Sequence, residues 1–180
     1  MRELIADLFA TVDGFAKGRN SPAFFGYAGP GLDAWIGEQL ATPHVVLMGS
    51  NTYRALSEIA ATGADPQLDL PKVVFSASLR PPLAWANTTL VRDDVAVAVP
   101  AMKAEPGDPL RVIGSLSLVR SLLRLGLVDR LRIMVFPQIL GATGEEPFLA
   151  GLPDINLRLG ATQILDNRLV LLEYLPEPPG

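Results

Sequence analysis

The sequence predicts an α/β domain with a mostly parallel sheet, helices on both faces and an antiparallel C-terminal edge. Three observations lead there. Short apolar runs alternate with segments of helical spacing along most of the chain. Two of those runs end in Gly-Ser and open directly into a helical pattern. The last two strand-like segments alternate around Asp166-Asn167, a hairpin turn signal.

In order, Leu4 to Val12 reads as the first strand, and Leu32 to Leu40 follows with amphipathic helical spacing. Val45 to Met48 is a continuous apolar run of the kind buried in a parallel sheet. A helix is expected from Asn51 to about Ala60, then a polar loop through Asp65-Pro66-Gln67. Lys72 to Phe75 and the weaker Thr88 to Val91 are short strands, and a helix is placed near Asp93 to Ala104 despite Pro100. Leu110 to Ile113 is a strand. Leu116, Val119, Leu122 and Leu123 make one helical face that stops at Gly126, a good residue to follow a helix end. Asp129 to Phe136 is a longer strand, and Asn156 to Leu165 and Arg168 to Leu175 form the hairpin. One domain over residues 1–176 is expected, with 177–180 as a tail.

Composition narrows the chemistry. A chain of 180 residues, 49% apolar, buries roughly 70% of its unfolded surface and needs no staples. It has no cysteine, so disulfides, thiolate zinc sites and cysteine nucleophiles are excluded. The single His44, at the mouth of a buried-looking strand, makes no histidine metal site, and a structural role is expected for it. No apolar run is long enough to cross a bilayer, and Met1-Arg2-Glu3-Leu4-Ile5 does not read as a signal peptide. A net charge of −4 with dispersed Lys and Arg gives no basic stripe, so nucleic acid and anionic membranes are poor partners. The expectation is a cytoplasmic protein with a small-molecule substrate.

The two junctions, Met48-Gly49-Ser50-Asn51-Thr52 and Ile113-Gly114-Ser115-Leu116, carry the chemistry. Each Gly allows a tight turn and close approach of a ligand. Each Ser suits the N-cap and leaves other first-turn N–H groups free, which with the helix dipole makes an anion site. Such junctions are also ordinary punctuation in α/β proteins. Two of them, at carboxyl ends of strands, favour nucleotide binding.

These segments resemble the dihydrofolate reductase superfamily, in the branch of the riboflavin-biosynthesis reductase domain. Ala10-Thr11-Val12-Asp13-Gly14, Leu47 to Tyr53 and Val73-Val74-Phe75-Ser76 are similar to its first three signatures. Val112-Ile113-Gly114-Ser115, Gly126-Leu127-Val128-Asp129 and Pro137-Gln138-Ile139-Leu140-Gly141 follow its C-terminal signature in order. The resemblance implies a three-layer dihydrofolate reductase-like fold on an eight-stranded, mostly parallel sheet. It also implies an NADPH-dependent reductase, NADH staying open, and homodimerisation through the C-terminal strands.

Carried over by the same resemblance, Gly49, Ser50, Asn51 and Thr52 face the cofactor phosphates. Gly114, Ser115 and Leu116 line the pyrophosphate turn, and Ser76 with Arg80 lies toward the adenosine 2′-phosphate. Ser50 replaces the family's usual Arg, and Ser115 the second Gly of its pair. On the substrate side, Asp33 occupies the place of the pterin-binding acid, or is plain N-terminal charge placement on a helix. Asp13 lines the substrate and nicotinamide site or only stabilises its Asp-Gly turn. Thr11 is a further substrate-contact candidate. Phe24, Phe25 and Tyr27 suit stacking over a flat heterocycle as a lid, or a satellite apolar cluster. The alternative to a reductase of a pterin- or pyrimidine-like C=N or C=O substrate is a non-catalytic nucleotide-binding or interaction protein that kept the fold.

Overall fold

A computed structural model describes residues 1–63, 67 and 69–177. Most of the expected loop at Asp65-Pro66 and the end of the tail lie outside these. Ten strands and four helices follow in the order β1 (Leu4–Thr11), β2 (Phe15–Gly18), α1 (Pro30–Ala41), β3 (Val45–Gly49), α2 (Ser50–Ala60), β4 (Lys72–Phe75), β5 (Thr88–Val91), α3 (Val95–Ala104), β6 (Leu110–Ile113), α4 (Leu116–Arg124), β7 (Arg130–Phe136), β8 (Gly144–Pro147), β9 (Leu157–Leu165) and β10 (Leu169–Pro176). Eight strands form one sheet in the order β5-β4-β3-β6-β1-β7-β10-β9. The pairs from β5 to β7 are parallel, and β10 pairs antiparallel with both β7 and β9. The reversed edge stands where the Asp166-Asn167 signal placed it, with both turn residues at positive φ (54° and 51°) as a tight hairpin demands.

The strands sort their side chains by the two-residue period. Leu4, Ala6, Leu8 and Ala10 of β1 meet Leu47, Leu110 and Val112, and together pack under Val99 of α3 and Leu118, Val119, Leu122 and Leu123 of α4. The opposite face, beneath α1 and α2, is not one core. Leu32 and Trp35 of α1 cluster over Met134, Phe136, Leu169 and Leu171. Tyr53 of α2 clusters over Val46, Met48, Val74 and Trp85. Between these clusters β1 and β6 present Asp7, Phe9, Arg111 and Ile113, and a cavity opens there.

One feature went beyond the sequence reading. A separate ribbon of β2 and β8 was not expected. Pro100 sits inside α3 on its exposed side, in the helix expected there despite it.

Candidate active site

The two Gly-Ser junctions come together at the carboxyl ends of adjacent strands β3 and β6. Ser115 Oγ accepts from the Gly49 N–H at 2.7 Å and shares a hydrogen bond with Thr52 Oγ1 at 2.7 Å. This changes the role expected of the serines. Gly49 is the N-cap of α2, with Ser50 already inside that helix. Ser115 is the N-cap of α4 but makes no capping bond, because at φ 53° and ψ 62° its hydroxyl turns back across the sheet end. Both helices therefore start without a side-chain cap, and their first-turn N–H groups stay available for an anion.

A cleft of about 590 Å³ lies in front of these helix starts. Gly49, Ser50, Asn51, Thr52, Gly114, Ser115 and Leu116 all line it. So do Lys17 of β2, Arg120 of α4 and Glu146 of β8, which the sequence reading missed. Arg120 Nε and Nη2 donate to the carbonyls of Phe148 and Pro147, which ties α4 to the end of β8. The ribbon thus forms the outer wall, and the lining side chains sum to one excess positive charge. Two open helix starts, hydroxyls and this charge fit a dinucleotide pyrophosphate. Ser50 brings no cation to the cleft, and the cations of its lining are Lys17 and Arg120.

Ser76 and Arg80 are not in this cleft. Phe75 of β4 is paired in register with Gly49, so Ser76 follows one strand outward from the junction. Its hydroxyl accepts from the N–H groups of Ser78 and Leu79 (3.2 and 3.1 Å). Arg80 is exposed and donates to the carbonyls of Ala77, Ser78 and Leu79, and Arg92 donates to two of the same carbonyls. The loop is built to hold its own shape, with two guanidinium groups at its edge.

Beside the cleft, sharing Thr52 and Gly114 with it, lies a cavity of about 300 Å³. Phe9, Phe24, Trp35, Ile36, Leu40, Leu56 and Ile113 give it apolar walls, and Gln39, His44 and Arg111 line it too. Asp33 does not line it. The carboxylate is exposed and has no partner among the described residues. At 100° per residue Asp33 shares a helix stripe with Ile36 and Leu40, one turn nearer the start of α1. It stands one turn beyond the Ile36 and Leu40 that line the cavity.

Asp13 and Thr11 have another job. Thr11 Oγ1 donates to Asp13 Oδ1 (2.7 Å) and accepts from the Phe15 N–H (3.1 Å). The Asp13 carboxylate also accepts from the N–H groups of Gly141 (2.8 Å) and Leu140 (3.1 and 3.2 Å). These bonds, Gly141 foremost, hold its pKa below the ordinary value. Neither residue lines the cavity; the pair locks the end of β1 to the Pro137–Gly141 loop. Phe24 does line it, packing edge-on against Phe9. Phe25 and Tyr27 turn to Phe136 instead and close the satellite cluster.

Tyr27 is held by a residue that sequence alone did not single out for this role. The Asp166 carboxylate in the hairpin turn accepts from the N–H groups of Gly31 (2.7 Å) and Leu32 (3.2 Å) and from the Tyr27 hydroxyl (3.1 Å). It caps α1 across the molecule, and the Gly31 bond leads the lowering of its pKa.

Fold and site define an α/β domain with a cleft at two uncapped helix starts and an adjoining apolar cavity. The chain belongs to the RibD C-terminal domain family, which it matches over residues 2–171. It is 26% identical to uncharacterized protein YyaP of Bacillus subtilis (strain 168), over 96% of this chain and 94% of that one. It is similar in fold to a pyrimidine reductase-like protein of Corynebacterium diphtheriae, with a TM-score of 0.70, 18% identity, and 99% and 93% of the two chains covered. A dihydrofolate reductase of Enterococcus faecalis, solved with NADP(H), overlays with a TM-score of 0.66 at 13% identity, over 98% of this chain and 97% of that one. The dihydrofolate reductase-like fold expected from the signatures is the fold found.

Proposed function

We propose that the chain is an NADPH-dependent reductase of a small planar heterocycle, pterin- or pyrimidine-like, with a reducible C=N or C=O group. One observation carries the reading: two uncapped helix starts meet at one positively lined cleft, which shares Thr52 and Gly114 with an adjoining apolar cavity. The family and the fold shared with a dihydrofolate reductase support it.

In this reading the first-turn N–H groups of α2 and α4 hold the pyrophosphate, with Lys17 and Arg120 balancing its charge. The Ser76–Arg80 loop, one strand outward, meets the adenosine end, where Arg80 and Arg92 favour a 2′-phosphate and hence NADPH over NADH. The bound cofactor supplies a hydride to an electrophilic ring carbon. Phe9, Phe24, Trp35 and Ile113 keep water from that carbon. Asp33, one turn beyond Ile36, holds the proton that the ring nitrogen or oxygen needs.

NADPH consumption is measured over a panel of dihydropterins and aminopyrimidinones. Turnover by the native chain is expected, with Asp33→Asn lowering kcat about a hundredfold or more and leaving NADPH affinity unchanged. Full turnover in the variant removes Asp33 from the chemistry. NADPH binding with no turnover on any member leaves a nucleotide-binding protein without catalysis. We also propose a homodimer across β9, whose Leu159 and Ile164 stand exposed; sedimentation showing only monomer at high concentration refutes it.

A further inference from the structure

The far end of the apolar cavity is polar in a specific way. Asp7 of β1, buried at 4% exposure, pairs with Arg111 of β6 and with Arg132 of β7. Both guanidinium groups lie against the Trp35 ring, at 5.7 and 5.4 Å from its centre. Arg132 also donates to Gln39 Oε1 at 2.8 Å, which commits that amide oxygen. One carboxylate thus faces two arginines, and the group keeps a net positive charge. Arg111 spends Nε on Asp7 and Nη1 on the Gln39 carbonyl. Its Nη2 has no protein acceptor among the described residues, and Arg111 lines the cavity.

His44 stands at the same end. Its Nδ1 lies 2.7 Å from the Thr42 carbonyl, which only accepts, so Nδ1 carries the proton. Burial, opposed by the Thr42 hydrogen bond and aided by the charge of Arg111, holds its pKa below the ordinary value and favours the neutral ring. Nε2 is then a bare lone pair with no protein donor among the described residues, on a ring 4% exposed that lines the cavity. A donor and an acceptor with no protein partner among the described residues therefore belong to two side chains that line one end of the cavity. Their distance from the cleft follows from the register. Val45 pairs with Leu110, and His44 precedes β3 by one residue while Gly49 ends it. The cavity thus runs about 16 Å along the strands, at about 3.3 Å per residue.

We infer that this end of the cavity recognises the –NH–C=O edge of a planar ring, Arg111 Nη2 donating to the carbonyl oxygen and His44 Nε2 accepting from the ring N–H. The proposal rests on reading the cavity as the substrate side of the site. Docked this way, the ring lies between Trp35 and Ile113 with its opposite edge toward Thr52 and Gly114. A carboxylate does not fit as well, since it has no proton to give Nε2. An ether or an N-alkylated lactam leaves the lone pair unsatisfied.

The test uses two probes, quinazolin-4(3H)-one and its N3-methyl derivative, with benzoate as the anionic control. Each is titrated calorimetrically into the full chain, with and without NADPH. The lactam is expected to bind at least about tenfold more tightly than the N-methyl compound, and benzoate more weakly than the lactam. His44→Phe, which keeps the ring but removes the lone pair, is expected to bind lactam and N-methyl lactam equally well. Equal binding of the two by the native chain overturns the proposal, whatever the variant does. So does stronger binding of benzoate, or no binding of either lactam. NADPH is titrated separately. Lactam discrimination without NADPH binding defeats the reductase reading alone, and NADPH binding without discrimination defeats this one alone.

Discussion

Replacing Ser115 by alanine isolates the tie between the two junctions. Its hydroxyl makes two hydrogen bonds, to Gly49 N and Thr52 Oγ1, each at 2.7 Å. At about 1 kcal/mol per bond, Ser115→Ala loses about 2 kcal/mol. For a chain of this length that lowers Tm by about 4–8 °C, at about 2–4 °C per kcal/mol. Ser115→Gly loses the same bonds but relieves a left-handed backbone at φ 53°, worth about 1–2 kcal/mol. About 0.5–1 kcal/mol of that returns as glycine's extra unfolded-state entropy. The glycine variant should therefore lie between the alanine variant and the native chain. Thr52→Val, alone and with Ser115→Ala, completes a cycle whose coupling of about 1 kcal/mol measures the shared hydroxyl bond. Urea unfolding monitored by circular dichroism reads all four variants. An alanine variant as stable as the native chain, or a glycine variant less stable than the alanine variant, refutes the account of this junction.

Other outcomes follow from the same contacts. Asp7→Asn leaves the buried Arg111 and the half-buried Arg132 without their counter-charge and should cost about 3–5 kcal/mol, read as a fall in urea midpoint. Stability should fall with acid in two stages. Below about 6.5 the unfolded chain takes up a proton on His44 that the folded chain resists, so stability present above that pH is lost as pH falls toward the lowered folded pKa. His44→Phe should abolish this stage. Below about 3.8 the unfolded carboxylates protonate before Asp13 and Asp166 do in the fold, and the stability those two contribute is lost as pH falls through their lowered values. Asp166→Ala should loosen the start of α1, seen as faster amide exchange at Gly31 and Leu32.

The fold was legible where local chemistry and burial agree. Val45–Met48 and Leu110–Ile113 are apolar runs because a parallel strand is covered on both faces, and Asp166-Asn167 announces its turn because few residues accept positive φ. The ribbon was not legible: Phe15-Ala-Lys-Gly and Gly-Glu-Glu-Pro are too short for a period, and only their pairing makes them strands. In the site, the junction glycines and hydroxyls could be read because turn and helix start are local. Asp166 capping a helix 135 residues away could not, nor could Asp7, Arg111 and Arg132, which look solvated one at a time and are buried only because they meet. The Thr11-Val-Asp13-Gly signature stands out in the sequence, but only the fold brings it against the Pro137–Gly141 loop that it fastens.

The cleft between the two junctions is expected to hold NADPH. Fluorescence titration with NADPH and NADH, on the native chain and on Ser50→Asp, tests it most directly. The added carboxylate sits in the first turn of α2, where it favours the helix by about 0.3–1 kcal/mol but repels a phosphate. The expected result is saturable NADPH binding by the native chain, tighter than NADH, and at least about tenfold weaker in a variant whose Tm is unchanged or higher. No binding of either nucleotide at several hundred micromolar, or equal binding by the variant, contradicts the claim.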